Sequence, residues 1–235
     1  MLANLDFDTY LFKDREEAGI KLLEILPKDM IQREDWLILA MSYGSVPIAE
    51  MIAEKLNIDY DLIFVKPIFA PNNDECQIAM VSESEEIVIH HNLVDSFEIS
   101  LDYVYAEAKR KYQGTILDCL YKYRRSLPLS DVKDRNVLLI DEGVETGFST
   151  ACALKSVIML GVKKVSLATP VIADDLYCNL DVKVDKIYTN NRIKDFIEVK
   201  YYYEFLEDLK SKKVKKILEE SSKFLPFKRS NKNGL

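Results

Sequence analysis

The 235-residue chain has no apolar run approaching the roughly 18 residues that a membrane span needs. Its first residues, MLANLDFDTY, are acidic where a secretory leader would be basic. It also lacks an excess of positive charge: 32 Lys and Arg face 39 Asp and Glu, a formal charge of -7. That balance argues against broad attachment to nucleic acid or to an anionic membrane, so any anionic ligand must be captured locally. Histidine is scarce, only His90 and His91, and neither has a metal-ligand spacing, so both read as structural. The four cysteines, Cys76, Cys119, Cys152 and Cys178, form no paired spacing. A disulfide framework or a zinc knuckle is not indicated, and a reducing cytoplasm is the expected setting. Internal repeats and low-complexity linkers are missing as well.

What the chain does have is apolar material in quantity. At 48% hydrophobic residues it can bury one substantial core, which excludes disorder and predicts a single domain over 1–235. Helix and strand patterns alternate. "DREEAGIKLLEIL" puts Ala18, Leu22, Ile25 and Leu26 on one stripe, with Asp14 as cap and Pro27 as stop. "WLILAM" (36–41) reads as a buried strand. The helix "VPIAEMIAEKLN" follows, capped by Ser45, with Pro47 in its first turn and Ala49, Ile52, Ala53 and Leu56 inward. "YDLIFVK" (60–66) reads as a second strand, and the parallel link between the two implies a right-handed crossover. "VLLID", the helix "STACALKSVIML" ended by Gly161, and the strand "KVSLATPVI" continue the alternation. This is α/β architecture, a parallel central sheet flanked by helices. Residues 72–130 predict a hood hairpin, from "QIAMV" and "EIVIHH", and then a mobile or helical insertion with Gly114 as a break. Residues 200–235 predict C-terminal helices from "YYYEFLEDL" onward and a frayed basic tail.

The chemistry concentrates in "NVLLIDEGVETGFST" (136–150). An apolar strand ends in Asp141 and Glu142, and small or hydroxylated residues follow at once. In open α/β sheets the carboxyl ends of strands face the ligand crevice. Adjacent carboxylates accept hydrogen bonds from vicinal hydroxyls, while a turn opening a helix offers free amides and a positive dipole to phosphate. Together they describe a site for a ribose 5-phosphate. A Walker A loop is excluded because GxxxxGK[ST] is absent, and the spacing does not fit GxGxxG. The competing reading is an acidic turn that only opens a helix.

This stretch resembles the phosphoribosyl pyrophosphate signature of the type I phosphoribosyltransferases. "FKDREEAGIKLLEIL", "YGSVPIAEMIAEKL", "FVKPIFAPNNDE" and "YYYEFLEDL" extend the resemblance over nearly the whole chain, toward the predicted bacterial branch of that family. The resemblance implies a parallel sheet with a smaller hood and a closing segment. It implies Asp141 and Glu142 for the ribose hydroxyls. For the 5-phosphate it implies Gly143, Val144, Thr146, Gly147, Phe148, Ser149 and Thr150. It implies Ser42, Tyr43, Gly44 and Ser45 for the pyrophosphate, with Lys66 neutralising charge. Magnesium would touch Asp141 and Glu142 mostly through water. The implied reaction is displacement of pyrophosphate by a nitrogen nucleophile on a small acceptor such as a nucleobase, in nucleotide salvage, by a homodimer. Glu145, two residues before the signature glycine, is a candidate proton acceptor for the incoming base, or else a solvated turn residue.

The chain also departs from that family. The turn "SYGS" has no Arg or Lys, and Pro67 follows Lys66 where a second basic residue is usual. Cys119 and Leu120 stand in place of paired arginines, although Tyr123 and Arg124 match the pattern beyond them. Fewer cations then surround an anionic ligand, so a binding protein that regulates without turning substrate over is the alternative to an enzyme. Lys109, Arg110 and Lys111 read as a solvated helix face or as part of a closing segment. Tyr201, Tyr202, Tyr203 and Phe205 read as an aromatic anchor or as a stacking platform.

Overall fold

A computed structural model describes residues 10–232. The acidic start of the chain and the last three residues of the basic tail lie outside them. The chain opens with helices α1 (Arg15–Ile25) and α2 (Lys28–Arg33), then strand β1 (Trp36–Ala40), helix α3 (Val46–Leu56) and strand β2 (Asp59–Leu62). Strands β3 (Val65–Ala70), β4 (Asn73–Ser82) and β5 (Ile87–Ile89) follow, and then helices α4 (His91–Ser96), α5 (Leu101–Lys111) and α6 (Leu117–Arg124). The second half contains β6 (Asn136–Ile140), α7 (Phe148–Met159), β7 (Lys164–Ala173), α8 (Asp174–Asp181), β8 (Lys186–Ile193), α9 (Ser211–Glu220) and α10 (Leu225–Lys232).

Five parallel strands form the main sheet in the order β2-β1-β6-β7-β8. The apolar runs "WLILA" and "NVLLI" are buried along their whole length, as strands covered on both faces must be. Alternation sorts their side chains. Trp36, Ile38, Leu138 and Ile140 face a core with Leu22 and Ile52, while Leu37, Leu39, Val137 and Leu139 face Ala153, Leu154 and Val157 of α7. The sheet order reverses between β1 and β6. The chain leaves β1 toward β2 on one side and leaves β6 toward β7 on the other, which makes a topological switch point.

Strands β3-β4-β5 form the hood as a separate antiparallel sheet. It is tied to α7 by Lys155, whose Nζ donates to the Ile87 carbonyl at 2.9 Å and pairs with Glu86 at 3.0 Å. The run 60–66 therefore does not form one strand. It divides after Leu62 because the backbone of Phe64 is drawn away by Glu83, donating to its carboxylate at 2.8 Å and accepting from its amide at 2.9 Å. Lys66 consequently belongs to the hood and pairs with Val81.

Other local expectations change in the same way. Asp14 caps α1, accepting from the Glu17 amide at 3.0 Å, but Ile25 is exposed and Leu26, in extended backbone beyond the helix, is buried. Ser45 does not cap α3. Its hydroxyl donates to the Ser42 carbonyl at 2.8 Å and accepts from the Ser42 amide at 3.0 Å, which closes the turn instead. Gly114 does not break the middle helix, because residues Tyr112–Ile116 form a single wide π-helical turn that absorbs an extra residue between α5 and α6. "YYYEFLEDL" is not the start of a helix. Its backbone pairs with residues 11–13: Phe12 donates to the Tyr202 carbonyl, and Glu204 and Phe205 donate to the carbonyls of Phe12 and Lys13. Tyr202 and Tyr203 are buried there, with the Tyr203 ring 5.2 Å from Phe12, while Tyr201 and Phe205 are exposed. Amphipathic α9 then docks through Val214 and Leu218.

Between hood and core lies a fully buried Arg124. Its guanidinium meets Glu83 and lies 3.8 Å from Asp61, and it stacks over Phe64 at 4.9 Å. Burial pushes both carboxyls up, and the Arg124 charge opposes that shift. Removing one partner of a buried ion pair leaves uncompensated charge in the interior, costing roughly 3–5 kcal/mol. Arg124→Leu is expected to lose about that much stability by urea unfolding at neutral pH. The loss should shrink as pH falls, because Asp61 and Glu83 can then become neutral. A variant as stable as the parent at neutral pH would contradict this account.

Candidate active site

The switch point is bridged by one short contact. Ser42, just past β1, donates its hydroxyl to Asp141 Oδ1 at 2.7 Å, just past β6, and the Glu142 amide donates to the same oxygen at 2.9 Å. Asp141 is buried, with 9% of its surface exposed. Burial pushes its carboxyl up to about 7, the two hydrogen-bond donors oppose that shift only in part, and the negative charge of Glu142 adds to it.

Glu142 turns to the other side of the crevice. Its carboxylate is held at 2.6 Å by Arg15 Nε, and Arg15 Nη1 donates to the Glu207 carbonyl at 2.8 Å. The Glu142 carbonyl accepts from the buried Tyr203 hydroxyl at 2.6 Å. The same carboxylate rests on Gly44, where a Cβ would lie 2.0 Å from Glu142 Oε1, so a side chain there would expel it.

Beyond the acids, Val144 bridges to β7. Its amide donates to Val171 at 3.0 Å, and its carbonyl accepts from Ala173 at 3.1 Å. Glu145 and Thr146 are exposed and make no hydrogen bond or ion pair with the described residues. Gly147 adopts φ +70, a left-handed conformation that favours glycine, and α7 starts at once. No side chain caps this helix, so its first amides have no side-chain acceptor. Phe148 is held by stacking on His90 at 5.7 Å, Ser149 is half-buried, and Thr150 is buried. His90 also accepts from the Leu93 amide at 3.3 Å and so starts α4.

A cavity of about 320 Å³ adjoins the turn after β1. Ser42, Tyr43, Lys66, Gln77 and Ser149 line it, together with apolar residues at the end of β2. Lys66 lies 5.4 Å over the Tyr43 ring, and that ring is braced by Tyr123 at 5.2 Å and by the Cys119 thiol 3.3 Å from its hydroxyl. The structure thus sets the turn at 42–45 against Asp141 and Glu142, through the Ser42–Asp141 and Gly44–Glu142 contacts. It puts Ser42, Tyr43, Lys66 and Ser149 of α7 around one cavity; Gly44, Ser45, Asp141 and Glu142 are not among its lining residues. Lys109, Arg110 and Lys111 close α5, where Arg110 pairs with Glu107 at 2.5 Å and Lys111 lies over Phe69.

Three roles in the site escaped sequence reasoning, those of Arg15, Tyr203 and Gln77. Arg15 had a signal, because a cation in the first turn opposes the helix dipole and so requires a tertiary reason to be there. Tyr203 reads from the sequence as an anchor or stacking residue, and its hydrogen bond to the Glu142 carbonyl had no signal. Gln77 had none either: its Nε2 is buried beside the cavity without a partner, a state that costs roughly 1–3 kcal/mol.

No family model matches the chain. It is 24% identical over 177 residues to curated proteins of two Mycobacterium tuberculosis strains, CDC 1551 / Oshkosh and H37Rv, provisionally named phosphoribosyl transferases. The match covers 75% of this chain and 39% of theirs, so the chain spans about two fifths of the length of these curated relatives. In three dimensions it is similar to the Thermus thermophilus protein TT1426, at 28% identity with a TM-score of 0.72, covering 89% of this chain and 98% of that one. The resemblance to phosphoribosyltransferases drawn from the motifs therefore recurs in whole-sequence comparison, and the sheet-plus-hood fold recurs in a solved structure.

The raised Asp141 carboxyl has a measurable sign. Between 3.8, the ordinary value, and about 7 the folded chain keeps a proton that the unfolded chain has lost, so Asp141 makes stability fall as pH rises across that window. Asp141→Asn is expected to remove this component from urea midpoints measured from about pH 4 to about pH 8. Identical pH slopes for the two proteins would show that the carboxyl titrates normally.

Proposed function

We propose that the chain binds phosphoribosyl pyrophosphate and transfers its ribose 5-phosphate to a nitrogen nucleophile on a small acceptor, a nucleobase by preference, with release of pyrophosphate. One observation carries the reading: an acid pair, an uncapped helix start and a cavity-lining turn converge at the switch point of the sheet. The motif resemblance and the curated relatives support the same class.

In this reading Asp141 and Glu142 accept the two ribose hydroxyls. The amides from Thr146 to Thr150 and the Ser149 hydroxyl take the 5-phosphate, with the left-handed Gly147 turning the chain onto it. Ser42 through Ser45 and Lys66 receive the pyrophosphate. The transition state carries positive charge on the sugar ring, so the work of the protein is to place charge and exclude water rather than to supply a nucleophile. Glu145, which is exposed and unpaired among the described residues, serves in this reading as the proton acceptor for the attacking nitrogen. The side-chain oxygens near the proposed diphosphate position are the adjacent carboxylates Asp141 and Glu142. That donor set fits magnesium, which is satisfied by ligand oxygens, water and one or two carboxylates such as Asp141 and Glu142. When bound, the ion would neutralise the diphosphate as it leaves. Nucleotide salvage in the cytoplasm is the setting that goes with this reading.

A second reading has its own observation. No cation is present in the turn itself, and the Cys119 thiol, not an arginine, meets Tyr43. A protein that binds phosphoribosyl pyrophosphate as a signal and turns it over poorly would be built this way. Calorimetry with phosphoribosyl pyrophosphate, with and without magnesium, followed by an assay of pyrophosphate release on adding nucleobases, separates the readings. Binding with release is expected, binding alone selects the regulator, and no binding defeats both. Lys66→Met is expected to lower turnover by roughly two orders of magnitude. Glu145→Gln is expected to slow transfer to purines, and an unchanged rate on every base tested would remove Glu145 from the mechanism.

A further inference from the structure

The turn that is to receive the diphosphate has no cation of its own, yet an anion already stands on it. Glu142 places its carboxylate against Gly44, filling the space a Cβ would need, and Arg15 grips that carboxylate from α1 at 2.6 Å. We infer that Arg15 is the diphosphate-binding cation of this site, and that Glu142 occupies the ligand's anionic position until the ligand arrives. The inference rests on the reading of the site given above.

Four observations point the same way. Arg15 lies in the first turn of α1, the unfavourable end for a positive charge. It is held there by contacts far away in sequence, Glu142 and the Glu207 carbonyl, rather than by neighbours in its own helix. It is 13% exposed and Glu142 is 20% exposed, so the pair is dry enough to matter and open enough to exchange partners. A guanidinium also presents a planar fork that fits phosphate oxygens as well as carboxylate oxygens. Binding then becomes a change of partners. Glu142 leaves Gly44 for the ribose hydroxyls, and Arg15 turns from carboxylate to diphosphate, so neither charge is left unpaired. The missing basic residue of the turn is supplied by a helix whose Arg15 lies 127 residues before Glu142 in sequence.

Inorganic diphosphate is the probe, because it has no ribose and therefore does not report the hydroxyl contacts of Glu142. Titration calorimetry of the full chain should show Arg15→Met binding diphosphate roughly ten- to a hundredfold more weakly than the parent. Its affinity should also depend less on salt, since one charge contact is gone. Glu142→Gln should bind diphosphate more tightly, by roughly three- to fivefold, because the internal competitor is removed. Arg15→Lys, which keeps the charge without the fork, should fall between parent and Arg15→Met and serves where the methionine variant does not fold. Unchanged diphosphate affinity in an Arg15 variant that folds, or weakened affinity in Glu142→Gln, overturns the inference while leaving phosphoribosyl pyrophosphate binding by the parent intact. A parent chain that binds neither compound overturns the functional reading itself, and the inference with it.

Discussion

The parallel pairing of β1 with β6, with Ala40 opposite Ile140, is the contact on which the rest of the site depends. It brings the residues just past two strands, a hundred positions apart in the chain, within hydrogen-bonding distance, so that Ser42 can donate to Asp141. Slipping this register by one residue would turn every strand side chain to the opposite face. The two cores forbid that, because Leu37 and Leu39 on one face and Ile38 on the other are each fully buried. Hydrophobic alternation thereby holds the register that lets this polar contact form at the carboxyl ends of the two strands.

Charge placement follows from the same geometry. An acidic protein that is to hold a polyanion cannot rely on its overall field, which has the wrong sign. It must gather cations and amides at one spot. Here the pieces come from separate elements: Arg15 from α1, Lys66 from the hood, and uncapped amides from the start of α7. None is adjacent to another in sequence. A site assembled in this way exists only in the folded chain, and the hood must sit against α7 for Lys66 to reach Tyr43.

Much of this was legible in the sequence. The buried runs at 36–40 and 136–140, the acid pair ending the second, and the glycine two residues after Glu145 all express backbone and burial constraints that act locally. What stayed hidden came from tertiary competition. The run 60–66 has one hydropathy pattern but two fates, because Glu83 captures the backbone at Phe64. Ser45 has the composition of a cap, yet a nearer partner at Ser42 takes its hydroxyl. "YYYEFLEDL" has helical spacing, but pairing with residues 11–13 offers its backbone an alternative, and no local rule weighs that option. Arg15 belonged to a quoted motif without a role, since its partner lies 127 residues away in the chain.

The absence of arginines from the start of α6 now has a physical setting. Cys119 is buried and its thiol meets the Tyr43 hydroxyl, while Tyr123 packs on the same ring. A guanidinium at position 119 would need both its charge and its donors satisfied inside this aromatic packing, at a desolvation cost several times what one surface contact returns. The chain instead uses α6 to stiffen Tyr43 and leaves cations to residues that keep one edge toward solvent. Arg15 and Lys66 meet that condition, both being only part-buried, whereas Arg124 does not and is matched by Asp61 and Glu83. The division is between a charge that locks hood to core and charges that remain free to exchange a partner for a ligand.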